Sequence, residues 1–445
     1  MPPQSLRSRQ LLSTAFFDAN LDYVALTPQG YFDKSAKFDR LIWNIDGVPV
    51  ALDQYYETFY RPQLVRAAML GSVDTSLPSA AAVGAPPSVR IVRAPPETRE
   101  REMDLEVAIK DQGGGVGSVR IYDNGTAVKQ GDGRGISIIA GTKEGTRTFR
   151  VSLSAGDNRI EVIAFNADDT VQSQAAVANV RASYGASGRI TLHALIIGIE
   201  EYENPDLRLK YPRSDAELFA ETLAANGRAL FGEMKLTVLK TRAETTRKRI
   251  ESTLESLQSV DPNDLFVFYV ASHGLVDNGV YYLLTSNVGS LSSRHLESDA
   301  LSHGALANLL MKIPAQKKLV VVDTCGAGAL GNAIQLAALG RGLTESTAMK
   351  VLSRAVGTTV LAASAASQQA LEGYQGHGLF TFLLAEGLRG RADLNRDAFV
   401  KTTELADFID DEVPALAEKV FGHRQFPTVS PGGMAFPIAR VGLAP

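Results

Sequence analysis

Leu265-Phe-Val-Phe-Tyr-Val-Ala-Ser-His273-Gly274 and Leu319-Val-Val-Val-Asp323-Thr-Cys325-Gly-Ala-Gly328 are two apolar, β-branched and aromatic runs, each ending in residues that carry chemistry. A short apolar run with these endings is the pattern of a parallel strand buried on both faces. A residue just past the C-terminal end of such a strand faces the crevice where open α/β sheets do their chemistry. His273 and Cys325 are therefore expected just past two strand tips. They lie roughly 50 residues apart, with a helix-like segment over Ser302–Lys312 between them. A crossover of that kind would bring the tips together as a Cys–His pair.

The surroundings repeat the alternation. Strand patterns run over His193–Ile199, Lys235–Leu239, Asp264–Ala271, Lys318–Asp323 and Thr358–Ala363. Helix patterns run over Ser214–Ala225, Thr245–Leu257, Ser302–Lys312, Leu379–Arg389 and Thr402–Val413, with Ser214 and Thr245 expected as N-caps. Strand alternating with helix predicts a three-layer α/β domain with a mostly parallel sheet over residues 190–445.

A strand ending in Ser-His-Gly, followed after about 50 residues by one ending in Asp-x-Cys-x-x-Gly, resembles the caspase superfamily. The nearest branch is the bacterial caspase-like, metacaspase- and orthocaspase-like one. There the usual form is Asp-Ser-Cys-His-Ser-Gly, where this chain has Asp-Thr-Cys-Gly-Ala-Gly; the Gln-Ala-Cys-x-Gly form of eukaryotic caspases is missing. The resemblance runs from His193 to the C-terminus. It takes in Arg213-Ser-Asp215-Ala and Glu372-Gly-Tyr-Gln-Gly-His-Gly-Leu-Phe-Thr381.

The resemblance implies thiol proteolysis. Cys325 would attack as thiolate, and His273 would take its proton and protonate the leaving amine. The backbone N–H groups of Gly274 and Cys325 would hold the oxyanion. A backbone carbonyl, in place of a third acid, would orient His273. Asp215 and Asp323 match a pair of acids that binds arginine or lysine before the cut bond. Ser364 would border the substrate groove and Tyr374 would line a neighbouring subsite. Gly326 to Lys350 reads as a polar linker, in which Arg341 and Lys350 are candidate processing sites for the chain itself or for an upstream activating protease. The implied partners are protein substrates, in bacterial stress, cell-death or defence signalling.

Composition sets outer bounds. With 445 residues, 45% hydrophobic and 21% charged, the chain holds two or three cores. A net charge of −4 points to neither nucleic acid nor an anionic membrane. One cysteine excludes an intrachain disulfide and a multi-cysteine metal site. No apolar run reaches membrane-spanning length and no secretory leader is recognisable, so the expected location is the reducing cytoplasm. No cofactor is expected. Asp393-Leu-Asn395-Arg-Asp397-Ala398 up to Glu404 approaches a calcium loop, but its turn glycine is replaced by Ala398, so a helix-entry turn is expected; calcium dependence through other sites stays open. His193, His295, His303, His377 and His423 read as structural.

Residues 1–75 form an aromatic appendage for packing or regulation, with a helix expected over Val50–Leu70. Residues 76–87 have linker composition. Residues 88–184 carry short alternating strands, among them Leu105-Glu-Val-Ala-Ile and Asn158-Arg-Ile-Glu-Val-Ile, punctuated by Asp123-Asn-Gly125. They predict a β-sandwich and resemble bacterial immunoglobulin-like modules. Gly113–Gly117 lies between two such strands, so a phosphate loop is discounted. Two rivals to the peptidase reading are a catalytically silent caspase-fold scaffold and a different thiol or acyl-transfer enzyme.

Overall fold

The structure is a computed structural model that describes residues 11–35, 38, 41–45, 47–71, 77–131, 137–138, 144–185, 190–326, 344–363, 372–422 and 424–442. The α/β domain is built on one sheet. Its main strands lie in the spatial order Glu233–Leu239, Thr191–Gly198, Leu265–Asp277, Lys317–Gly326, Thr359–Ala362 and Thr428–Ser430. The first five run parallel and the last is antiparallel. Thr191–Gly198, first in sequence, sits between the second and third. The connections after it therefore leave in opposite directions and open a crevice at the C-terminal strand ends.

Both faces are covered. On one, Val267, Tyr269, Val321 and Leu361 pack under Phe219 and Leu223 of the helix Pro212–Gly227, and under the helices Leu379–Glu386 and Thr402–Phe421. On the other, Phe266, Phe268, Val320 and Val322 pack under the helices Arg247–Ser256, His303–Met311 and Glu345–Val356. Successive strand residues thus serve opposite cores, which is why these strands read as continuous apolar runs and not as alternating ones.

Several expected boundaries shift. The His273 strand does not stop at the histidine. It runs on to Asp277 and turns back as Val280–Leu283, with Gly274 opposite Leu283. The helix after the first strand starts at Pro212, so Ser214 lies inside it; proline suits the first helical position because its missing N–H has no acceptor to lose. Thr246, not Thr245, caps Arg247–Ser256 by accepting from Arg249 N–H. The supposed linker from Gly326 to Lys350 is shorter, because Glu345–Val356 is helical and Thr344 caps it. Val50–Leu70 is not one helix. Val50 lies in a short strand that ends at Ala51, a 3-10 turn covers Leu52–Tyr55, a single helical turn covers Tyr56–Phe59, and a new helix begins at Pro62. Pro62 excludes Arg61 from helical geometry, and Arg61 has φ −140° and ψ 74°.

Residues 88–182 form two packed antiparallel-rich sheets, of five and four strands among the described residues, around Leu105, Ile109, Ile121, Phe149, Ile160 and Val162. The strand Ala176–Ala182 has no sequence signal strong enough to predict it, being rich in alanine. Glycines 114 and 117 serve close packing. A Cβ on Gly114 would stand 2.3 Å from the Ala85 carbonyl oxygen, and one on Gly117 2.2 Å from that of Asn166. The segment before the sandwich is thus docked against it, with Ala80 and Ala85 buried.

The sandwich shares a core with the α/β domain. Tyr122, Ala127, Ile163 and Phe165 join the cluster on the Phe266 face. The Lys318 ammonium donates to the Ala127 carbonyl at 2.8 Å, Tyr122 Oη to the Ala355 carbonyl at 3.0 Å, and Gln316 to the buried Asp123 carboxyl. The N-terminal residues have their own small core of Val24, Phe32, Tyr55, Phe59 and Leu64, closed by Val171 from the sandwich. Among the described residues no helix is long and apolar enough to cross a membrane.

Two predictions concern stability. Burial pushes Asp123 from its ordinary value up to about 8. An acid whose folded value exceeds its unfolded one favours the folded state below the unfolded value, and that contribution is lost as pH rises through the folded value. Asp123→Asn should therefore flatten the part of the melting-temperature profile that falls between pH 4 and 8; a slope unchanged from wild type would contradict it. Ala398 has φ +67°, a left-handed conformation that strains any residue with a Cβ. Ala398→Gly is expected to raise unfolding stability by about 1 kcal/mol in thermal melts with chelator present.

Candidate active site

Ten residues of Leu265–Asp277 pair in parallel, without a register shift, with ten of Lys317–Gly326. This register makes His273 and Cys325 direct neighbours across the two strands, as it does Gly274 and Gly326. Adjacent strands lie about 4.8 Å apart, so the two backbones meet at the crevice end of the sheet.

His273 is 8% exposed. Its backbone N–H donates to Tyr202 Oη at 3.0 Å, and the Tyr202 ring lies 5.5 Å from the imidazole. Its Nε2 is 3.0 Å from the carbonyl oxygen of Leu207, in the connection after the first strand. A carbonyl can only accept, so Nε2 carries the proton and Nδ1 is the basic nitrogen. The Leu207 carbonyl thus sets tautomer and ring direction, a task that a side-chain acid performs elsewhere. Such a backbone group has no signature in sequence, and Tyr202 had none either.

Packing requires glycine at position 274. A Cβ there would stand 2.6 Å from Tyr281 Oη and 2.8 Å from its ring. Tyr281 comes from the returning strand Val280–Leu283 and is fully enclosed.

The two expected pocket acids converge. Asp215 sits in the first turn of Pro212–Gly227 and is 3% exposed. Its carboxyl does not cap its own helix. It accepts from the Gly378 N–H at 3.1 and 3.2 Å, and its Oδ1 lies 3.1 Å from His377 Nδ1. Asp323 accepts from Thr381 Oγ1 at 2.5 Å, and that hydroxyl is 2.6 Å from Tyr269 Oη. A Cβ built on Gly378 would lie 3.1 Å from Asp215 Oδ2 and 3.5 Å from Asp323 Oδ2. Carboxyl oxygens from residues distant in sequence therefore flank one point, beside the strand that carries Cys325. His377, read as structural from sequence, is an Asp215 neighbour; burial pushes its imidazole below the ordinary histidine range. The run Gly-His-Gly-Leu-Phe-Thr381 contained the signal, since it supplies His377, Gly378 and Thr381 together.

Tyr374 pairs with His377 in a tight hairpin and packs edge-on against Phe382 at 4.9 Å. Ser364 and Arg341 lie outside the described residues. Lys350 lies within the helix Glu345–Val356, with its ammonium 5.8 Å from the Tyr60 ring centre. His193 bonds Asp264 at 3.1 Å, and His303 lies 3.3 Å from the Tyr281 backbone. Among the described residues no group of three or more His, Cys, Asp or Glu is placed to hold a metal ion. In the near-calcium loop, Asp393 accepts from the Asp397 and Ala398 N–H groups and Asp397 from that of Phe399.

Comparison with known proteins bears on this site. No curated protein matches the chain. Among solved structures, the CARDB domain of a Pyrococcus furiosus protein is 23% identical, covering 22% of this chain and 93% of its own, with a TM-score of 0.18. The PKD domain of an M14-like peptidase from Thermoplasmatales archaeon SCGC AB-540-F20 is 10% identical over 22% of this chain and 93% of its own, with a TM-score of 0.15. Chitinase ChiW from Paenibacillus sp. str. FPU-7 is 11% identical over 61% of this chain and 20% of its own, with a TM-score of 0.16. The family model described as Caspase domain matches residues 191–432, which contain every described strand of the α/β sheet. The chain belongs to the caspase-domain family of peptidases, C14.

Proposed function

We propose that the chain is a cysteine endopeptidase that cuts proteins after arginine, and more weakly after lysine, with Cys325 and His273 as its dyad. The observation that carries this reading is the unshifted parallel register of His273 with Cys325, combined with the hydrogen bond that commits His273 Nε2–H to the Leu207 carbonyl. With Nε2 engaged, Nδ1 takes the thiol proton as the sulfur attacks the peptide carbonyl, then gives it to the departing amine. The Gly274 and Cys325 N–H groups would hold the developing oxyanion.

Specificity follows from Asp215 and Asp323. Two buried carboxyl groups facing one point make a site that favours a cation, and a planar guanidinium can bond both through its fork. An aspartate side chain would meet like charge there. Tyr374, in the hairpin that pairs it with the Asp215 neighbour His377, would contact the neighbouring substrate residue. The proposed setting is a reducing compartment, where the single thiol stays usable, with protein targets in bacterial stress, cell-death or defence signalling. Activation by cleavage between the Cys325 strand and the next helix is part of the proposal. Arg341 is the better site, because Lys350 is helical and a peptidase requires an extended substrate.

Turnover of Arg-, Lys- and Asp-ended fluorogenic peptides, with calcium and with chelator, tests the reading. Wild type should cut the Arg peptide best. Cys325→Ala should abolish cleavage, and Asp323→Asn or Asp215→Asn should lower kcat/KM for Arg on the order of a hundredfold, about 3 kcal/mol. Preference for the Asp peptide would remove the pocket assignment. Intact mass after prolonged incubation addresses processing: wild type should yield fragments from a cut at Arg341 that Cys325→Ala does not, and two identical full-length masses would count against self-cleavage.

A further inference from the structure

Glu345 is a buried acid that the proposed chemistry leaves unused. It opens the helix Glu345–Val356 and is 5% exposed. Its Oε1 accepts a hydrogen bond from Thr324 Oγ1, on the residue just before Cys325. Thr324 Oγ1 is in turn 3.0 Å from Tyr281 Oη, and the Tyr281 ring is what fills the space where a Gly274 Cβ would stand. One series of hydrogen bonds therefore joins three elements: the helix, the Cys325 strand and the return strand behind Gly274. Burial pushes the Glu345 carboxyl up to about 7, with Asp323 adding to the rise.

An apolar side chain would fill this volume without the cost of burying a carboxyl, which is several kcal/mol for an ionised group. The helix that carries Glu345 is also held from outside. Gln63 donates to Thr344 Oγ1 at 2.9 Å and accepts from Thr347 Oγ1 at 3.3 Å, and the Arg354 guanidinium stacks 4.4 Å from the Tyr56 ring centre. The acid is thus presented to Thr324 from a helix end that is itself fixed.

We propose that Glu345 is a positioning residue for the nucleophile: through Thr324 and Tyr281 it holds the end of the Cys325 strand and the Gly274 backbone in one arrangement. This rests on the reading of Cys325 as nucleophile.

Cys325 is the single cysteine, so alkylation by iodoacetamide reports on it alone, whether or not any peptide is cleaved. The experiment measures the alkylation rate from pH 5 to 10, and kcat and KM on the Arg peptide, for wild type, Glu345→Ala, Glu345→Gln and Thr324→Val. Glu345→Ala should lower kcat at least ~10-fold with KM within ~3-fold, and should shift the pH midpoint of alkylation. Glu345→Gln keeps an acceptor of the same size and should stay within ~3-fold of wild type in kcat. A Glu345→Ala protein with the wild-type alkylation profile and kcat overturns the proposal, and so does a Gln variant as impaired as the Ala one. If circular dichroism shows Glu345→Ala unfolded, Thr324→Val decides by the same criteria. If wild type cleaves no peptide either intact or after cleavage at Arg341, the peptidase reading fails, while the alkylation profiles still decide the role of Glu345.

Discussion

The parallel pairing of Leu265–Asp277 with Lys317–Gly326 is the constraint on which this site is built. Ten consecutive partners leave no freedom to slip, because a one-residue shift would send every buried side chain to the wrong core. Phe266, Phe268, Val320 and Val322 belong to one face, and Val267, Tyr269, Leu319 and Val321 to the other. Both faces are covered, so either direction of slip exposes or overpacks large apolar groups. The register of His273 with Cys325 is therefore set by the strand interiors, well away from the residues that would react.

The same alternation divides the labour around Cys325. Asp323 bonds Thr381 on the face that also brings Asp215 through the helix Pro212–Gly227. Thr324, one residue on, faces the opposite core and meets Tyr281 and Glu345. One side of the strand end presents acids toward a proposed substrate cation, and the other anchors the strand to its support. Membership of the caspase-domain family agrees with this layout but does not supply the second set of contacts.

The N-terminal half is not strung loosely before the α/β domain. Tyr122, Ala127, Ile163 and Phe165 complete the apolar cluster over the sheet, and Lys318, deep in the Cys325 strand, donates to a sandwich carbonyl. Burial lowers the Lys318 ammonium to about 7, so the junction contains two groups, Lys318 and Asp123, whose charge burial opposes. Removing the sandwich would expose this face and leave Lys318 and Gln316 without their sandwich partners.

Much of this was legible in the chain. The apolar runs marked the sheet strands because burial on both faces demands continuous hydrophobicity, and the alternating runs marked the sandwich because its strands are apolar on one face only. The endings Ser-His273-Gly and Asp323-Thr-Cys325 marked the candidate dyad and one acid, and Arg213-Ser-Asp215 the other. Strand ends and helix starts drifted by a few residues, since pairing partners and caps decide them and neither is local. What only the folded chain decided is where backbone and distant groups meet: the Leu207 carbonyl on His273, the Gly378 N–H and His377 on Asp215, and Glu345 on Thr324. A carbonyl is the same at every residue and carries no signature. A buried glutamate at a helix start looks in sequence like any acid that complements the helix dipole. Such contacts arise only when crossovers of many residues close, and their geometry is a property of the packed layers, not of any one segment.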